Sequence, residues 1–137
     1  DAPIHRYRPF TVFGIDATGL VRAVRLHRPG DRRLEPIKLE RPLIASSGFK
    51  PDEVIPRREE IYDRFAASGI DPGTLLAYHR STHPSGGAYS VCMERPDAIT
   101  RSLCWVTVDA EDVQYRYTDG PPCRTALAEP VIMSQSC

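Results

Sequence analysis

Asparagine is absent from the chain, and lysine occurs only as Lys38 and Lys50, against sixteen arginines. Without asparagine this sequence offers no acceptor for N-linked glycosylation. The preference for arginine is typical of a GC-rich genome, so we attach no function to it. No apolar run approaches the roughly 18 residues that a membrane-spanning helix needs, so we predict no membrane insertion.

Motifs whose spacing alone identifies a chemistry are also missing. Ser85 lies outside a G-x-S-x-G context, and Gly86 and Gly87 lack the GxxxxGK[ST] frame of a phosphate-binding loop. The cysteines are separated by 11, 18 and 13 residues, whereas structural zinc sites use closely spaced pairs. We therefore predict that the protein uses no metal and no cofactor. Both an enzyme and a protein without enzymatic activity agree with these patterns.

Four cysteines lie in the last third of the chain, at Cys92, Cys104, Cys123 and Cys137. Their even number favours two disulfides over four reduced thiols, and three connectivities are possible. We predict Cys92–Cys104 and Cys123–Cys137, because each bridge closes a short loop. Disulfides persist in oxidising compartments, so the expected location is secreted or periplasmic.

Length and composition predict a single compact domain over residues 1–137, large enough to bury a core. Charge is unevenly placed although the total is zero. Residues 1–50 carry ten basic and five acidic side chains, and residues 51–137 carry eight and thirteen. Two interpretations remain: the halves attract each other within the domain, or the first part presents a basic face to an anionic partner.

The clearest structural pattern is a hairpin over 103–118. Both arms are rich in β-branched and aromatic residues, and 109–112 suits a turn. Counting outward from this turn pairs Val108 with Val113, which gives one face only apolar side chains. These side chains are Cys104, Val106, Val108, Val113, Tyr115 and Tyr117. We predict that this face is core, and that 89–93 and 127–133 supply neighbouring strands.

A first hairpin is predicted over 9–26. A turn with Gly19 in the left-handed position pairs Phe10 with Leu26 and Phe13 with Ala23. Both faces of this pair are partly apolar, which favours an interior position in a sheet. Two prolines then restrict 34–44 to an edge strand or an irregular segment.

The main predicted helix covers 56–68, with proline in its first turn and Gly69 just beyond its end. Its buried stripe contains Ile61, Phe65 and Tyr62. A short helix at 74–78 and a loop at 79–87 follow. The order of elements predicts an α+β fold, in which this main helix packs on a mostly antiparallel sheet of hairpins and two disulfides stabilise the C-terminal third.

Two groups of residues are candidates for function. A metal-independent ribonuclease needs an acid, a base and a cation, and the residues of those types are His79, His83, Arg80, Tyr115 and Arg116. A binding surface favours arginine beside aromatic residues, and the candidates of that kind are Arg6, Tyr7, Arg8, Trp105 and Arg116.

The absence of a strong catalytic motif favours the second group. The sequence therefore predicts a secreted, disulfide-stabilised domain that binds another macromolecule, as an inhibitor, an immunity-type protein or a host-directed effector. A protein is the expected partner, and RNA is a possible one. The alternative is a small metal-independent ribonuclease or toxin with a His/Arg/Tyr acid–base site.

Overall fold

A computed structural model of the 137-residue chain describes residues 6, 10–15, 18, 21–26, 30, 33–38 and 43–134. Its contacts divide the chain into two compact units. The first comprises Asp1–Leu43, Val108–Val113 and Ser134–Cys137, and the second comprises Ile44–Thr107 and Gln114–Met133. The elements described below are those of an α+β protein with antiparallel sheets.

The first unit contains a three-stranded sheet with the order β1-β2-β3. Its strands are β1 (Phe10–Ile15), β2 (Val21–Leu26) and β3 (Glu35–Ile37). Phe10 lies opposite Leu26 and Phe13 lies opposite Ala23, which confirms the predicted register of the first hairpin. The turn residue Gly19 lies outside the described residues.

The predicted interior position of this hairpin is wrong for one strand. β2 is central, but β1 is an edge strand, and the side chains of Val12 and Phe13 are about half exposed. Edge strands leave one side of each side-chain row uncovered, so apolar composition alone does not bury them. Pro36 lies in β3, at the other edge, as the two prolines of this segment predict.

Two helices belong to the second unit, α1 (Pro51–Ala66) and α2 (Pro72–Arg80). The predicted main helix, 56–68, begins five residues too late. The helix begins at Pro51 instead. There, a proline followed by two acidic residues provides an earlier signal for a first turn. Pro56 lies inside the helix and removes one backbone hydrogen bond, which the packed helix tolerates.

The helices pack against each other through aromatic side chains. The ring of Tyr78 on α2 meets Tyr62 and Phe65 of α1 edge to face, with centroids 5.4 and 6.2 Å away. Val54, Ile61, Tyr62 and Tyr78 are each less than 5% exposed. The predicted stripe is thus confirmed for Ile61 and Tyr62, and the core of the second unit includes a second helix face.

Five further strands follow: β4 (Glu94–Arg95), β5 (Ala98–Ile99), β6 (Cys104–Val108), β7 (Asp112–Tyr117) and β8 (Val131–Ser134). β4 and β5 form a short hairpin, and β6-β7-β8 form a second three-stranded sheet. The strand predicted at 89–93 is wrong, since this segment is made of turns and bends. The strand predicted at 127–133 is confirmed in part as β8.

A single disulfide joins the described cysteines, between Cys92 and Cys123, whose Cα atoms are 6.1 Å apart. The predicted Cys92–Cys104 bridge is therefore wrong. Cys104 is a free and exposed thiol at the start of β6. The prediction relied on short loops, whereas the fold brings together two segments that are 31 residues apart in sequence. The predicted Cys123–Cys137 bridge is wrong as well, because Cys123 is bonded to Cys92. Cys137 itself lies outside the described residues.

The hairpin of β6 and β7 has the predicted register but not the predicted burial. Asp109 N donates to Asp112 O, and Thr118 N donates to Leu103 O, so both ends of the hairpin obey the same pairing. Part of the face predicted as core is nevertheless exposed, with Val106 49% and Tyr117 40% exposed, while Val108, Val113 and Tyr115 are half-buried. Buried contacts of this hairpin lie at its base instead, at Leu103 and Thr118.

Candidate interaction face

The hairpin register defines a surface that we call the apolar face. It consists of the side chains of Cys104, Val106, Tyr115 and Tyr117, all in the second unit. Alternate residues of a strand point to the same side, and the pairing found at both ends of the hairpin aligns these two rows. None of the four is Asp, Glu, Lys, Arg or His, and Cys104, Val106 and Tyr117 are exposed. Large contiguous apolar patches are uncommon on monomeric soluble proteins.

Local sequence explains why this hairpin forms where it does. The Asp109 carboxylate accepts hydrogen bonds from the backbone N–H groups of Glu111 and Asp112, at 2.9 and 2.8 Å. These bonds fix the turn and lower the pKa of Asp109. At the base, Thr118 Oγ1 accepts from Leu103 N at 2.7 Å and donates to Gly120 O at 2.8 Å. The two anchors hold the register of the apolar face.

The two polar side-chain tips of the face interact. The neighbouring Cys104 thiol raises the pKa of Tyr115. The thiol remains exposed beside it. Tyrosine contributes a large rigid surface with a polar tip, which suits it to protein interfaces.

β8 extends the exposed apolar surface along the sheet. Val131, Ile132 and Met133 are consecutive, and each is more than half exposed. Consecutive residues of a strand point to opposite sides, so β8 leaves apolar side chains open on both of its faces. The sheet β6-β7-β8 therefore presents apolar side chains from all three of its strands.

The residues predicted for acid–base chemistry have separate surroundings. His79 lies in the last turn of α2, its ring 5.1 Å from that of Tyr78, and burial lowers its pKa. His83 is exposed, and its Nε2 lies 3.4 Å from Arg64 Nη1. No hydrogen bond or ion pair between described residues joins either histidine to Tyr115 or Arg116.

The predicted loop at 79–87 is shorter than expected, and backbone hydrogen bonds define its conformation. His79 and Arg80 belong to α2, so the loop starts at Ser81. Backbone groups on both sides close it, since Cys92 N donates to Ser81 O and Gly86 N donates to Thr82 O. The buried hydroxyl of Ser90 donates to the same Thr82 carbonyl. The segment therefore owes its shape to internal hydrogen bonds.

The binding candidates are spread over the chain. Arg6 is exposed, while Tyr7 and Arg8 lie outside the described residues. Trp105 and Arg116 lie on the side of the hairpin opposite the apolar face, and both are half-buried. The described residues include no cation–π contact between them. By contrast, Val106 and Tyr117, which the sequence assigned to the core, are exposed.

A pocket of about 460 Å³ lies at the β4–β5 hairpin, and its lining is charged. Opposite charges pair at its edge: Arg95 contacts Asp97, and Arg124 contacts Glu94, at 3.1 and 3.0 Å. These pairs leave little net charge to attract an ion of one sign. Among the described residues no cluster of three or more His, Cys, Asp or Glu side chains could hold a metal ion.

No helix within the described part of the chain is long and apolar enough to cross a bilayer. The chain matches no known family model, no curated protein and no solved structure.

Proposed function

We propose that the protein is a binding domain that contacts another protein through the apolar face. The observation that carries this proposal is the exposure of Val106 and Tyr117 on a well-anchored hairpin. Burying such side chains is favourable by about 25 cal/mol per Å² of apolar surface, so a complementary surface gains from covering them. Large exposed apolar patches mark interaction sites for this reason.

The chemistry of the face favours protein over RNA as the partner. Nucleic acids are bound mainly through cations that neutralise phosphates, and the four residues of the apolar face include no lysine or arginine. The two tyrosines and the valine of this face instead resemble the centre of a protein interface, where aromatic residues are enriched and charges are depleted.

The disulfide supports an extracellular or periplasmic setting. A Cys92–Cys123 bridge persists where thiols are kept oxidised, and it fixes the 81–94 segment to the turn after β7. A secreted inhibitor, immunity-type protein or host-directed effector needs this combination of a stable scaffold and an open binding face. These three classes share the prediction of a specific protein partner.

The ribonuclease alternative has less support from geometry. Its base and acid must reach one phosphate, with a cation beside them. His79 packs against Tyr78, whereas His83 faces solvent beside Arg64. An RNA-cleavage assay in excess EDTA, with His83→Ala as the variant, tests this alternative directly. Cleavage that persists in EDTA and is lost in the variant contradicts the binding proposal.

The binding proposal is tested by capture on the immobilised chain from the extracellular fraction of its source. The test variant is Tyr117→Asp, which places a charge on the apolar face. The control is Thr107→Asp, since Thr107 is also exposed but points to the other side of β6. We expect the same protein to be captured by the wild type and the control and lost by Tyr117→Asp. Equal capture by all three chains contradicts the proposal.

A further inference from the structure

Among the described residues, β6 lies at an edge of the sheet β6-β7-β8. Leu103 and Asp109 direct their backbone groups toward β7, as their hydrogen bonds show. Because backbone groups alternate along an antiparallel strand, Cys104, Val106 and Val108 direct their N–H and C=O groups the other way. The backbone N–H and C=O groups of these three alternate residues thus offer a template for another strand.

We propose that β6 pairs antiparallel with β6 of a second copy of this chain. Val106 lies opposite Val106 of the other copy at the two-fold axis, and Cys104 of each copy lies opposite Val108 of the other, which makes three pairs. Each of these three pairs can exchange two backbone hydrogen bonds, about six in total. The two sheets then join into one sheet of six strands with closed two-fold symmetry.

Composition permits this pairing. Edge strands are usually protected by lysine, proline or an inward-pointing charge, and β6 reads CWVTV, with none of them. An uncharged strand can lie opposite itself without repulsion between like charges. The exposed thiol of Cys104 and the half-exposed Val106 are compatible with an approaching strand.

Charges at the two ends of β6 select a second copy and set its direction. Arg101 precedes the strand and is exposed, whereas the exposed Glu111 lies in the turn that follows it and Asp112 begins β7. Antiparallel self-pairing brings Arg101 of one copy beside the acidic turn of the other, and does so at both ends. Parallel pairing sets the two acidic turns side by side. Opposite charges favour the antiparallel arrangement.

This inference concerns the edge of β6, whereas the proposed function concerns the apolar face. The two surfaces are compatible, because the two-fold axis runs perpendicular to the sheet and leaves both apolar faces on the same side. Self-pairing therefore doubles the surface available to a partner. Either conclusion can hold without the other.

Cross-linking through a cysteine at the axis tests the pairing. In a background with Cys104→Ser and Cys137→Ser, the test variant is Val106→Cys and the matched control is Thr107→Cys. Residues directly opposite have Cα atoms about 5.5 Å apart, which a disulfide spans. Two Thr107 positions lie diagonally, about 7–8 Å apart, which is beyond its usual reach.

Mild oxidation should convert most of the Val106→Cys chain to a species of twice 15.3 kDa on a non-reducing gel, and little of the control. Equal cross-linking of the two variants overturns the pairing. Sedimentation of the unmodified chain gives an independent answer if a variant fails to fold. We expect a monomer–dimer equilibrium that Val106→Lys weakens at least about tenfold, because two like charges then lie opposite each other.

Sedimentation as a monomer across the whole concentration range likewise overturns the pairing. A monomeric chain that still captures its partner, and loses it on Tyr117→Asp, leaves the proposed function standing. A dimer that captures nothing leaves the pairing standing and contradicts the proposed function.

Discussion

Removing the Cys92–Cys123 bridge should cost the protein a large part of its stability. The two residues are 31 positions apart, and closing a loop of that length in the unfolded chain corresponds to about 3.7 kcal/mol in the chain-entropy model. Unfolding entropy of about 2.1 cal/mol/K per residue over 137 residues converts this value to a fall in Tm of roughly 13 °C. The double variant Cys92→Ala/Cys123→Ala, followed by urea unfolding and by thermal melting, measures both quantities.

The matched control is Cys104→Ala, which removes an exposed thiol outside the bridge. We expect it to change the free energy of unfolding by less than about 0.5 kcal/mol, as surface substitutions usually do. Reduction of the wild type should reproduce the loss seen in the double variant. The reasoning is refuted if the double variant unfolds with a free energy within about 1 kcal/mol of the wild-type value. It is refuted equally if Cys104→Ala loses as much free energy of unfolding as the double variant.

Three further changes probe the scaffold. Burial lowers the pKa of His79 from its ordinary 6.5, so the unfolded chain binds the proton more readily, and stability should be full above about pH 6.5 and fall below it. Urea midpoints at about pH 7.5 and 5.5 measure this loss, which His79→Phe should reduce. Thr118→Val should cost about 1–3 kcal/mol of unfolding free energy by urea titration, because it leaves the buried Leu103 N–H without its partner. Asp71→Ala should cost about 1 kcal/mol in the same titration, because the Asp71 carboxylate caps α2 by accepting from Thr74 N at 2.8 Å.

Each of these changes has a contrary outcome. A pH dependence of stability that is as large in the His79→Phe chain as in the wild type contradicts the assignment to His79. Thr118→Ser keeps the hydroxyl that accepts from Leu103 N, so it should retain most of the stability that Thr118→Val loses, and an equally large loss argues against the hydrogen bond as the cause. Asp97→Ala removes an exposed carboxylate outside any helix cap, and a loss equal to that of Asp71→Ala argues against capping.

Local patterns predicted the secondary structure and the registers of two hairpins. The alternation of apolar residues and the chemistry of the turns pair Phe10 with Leu26 and Val108 with Val113, and the structure has both pairings. Register depends on residues close in sequence, so one sequence contains the information. The start of the main helix was predicted less accurately, because Pro51 and Pro56 both provide a first-turn signal. Only the burial of Val54, which lies between them, distinguishes the two starts.

Burial and disulfide pairing depend on contacts between distant segments, and the sequence predicted them poorly. An apolar row such as Val106 and Tyr117 reads as core whether another element covers it or not. Cys92 and Cys123 meet because the 81–94 segment lies beside the turn after β7, which no local pattern indicates. The candidate site was missed for the same reason, since its residues have the sequence pattern of a buried strand face.

Photo-cross-linking from the apolar face is the most direct test of the proposed binding function. A p-benzoylphenylalanine residue replaces Tyr117 in one chain and Thr107 in a second, so the two probes lie on opposite sides of the same hairpin. Exposed to the captured partner under light, the Tyr117 chain should form a covalent adduct and the Thr107 chain should not. Equal adducts from both positions, or an adduct from Thr107 alone, would show that the partner binds elsewhere.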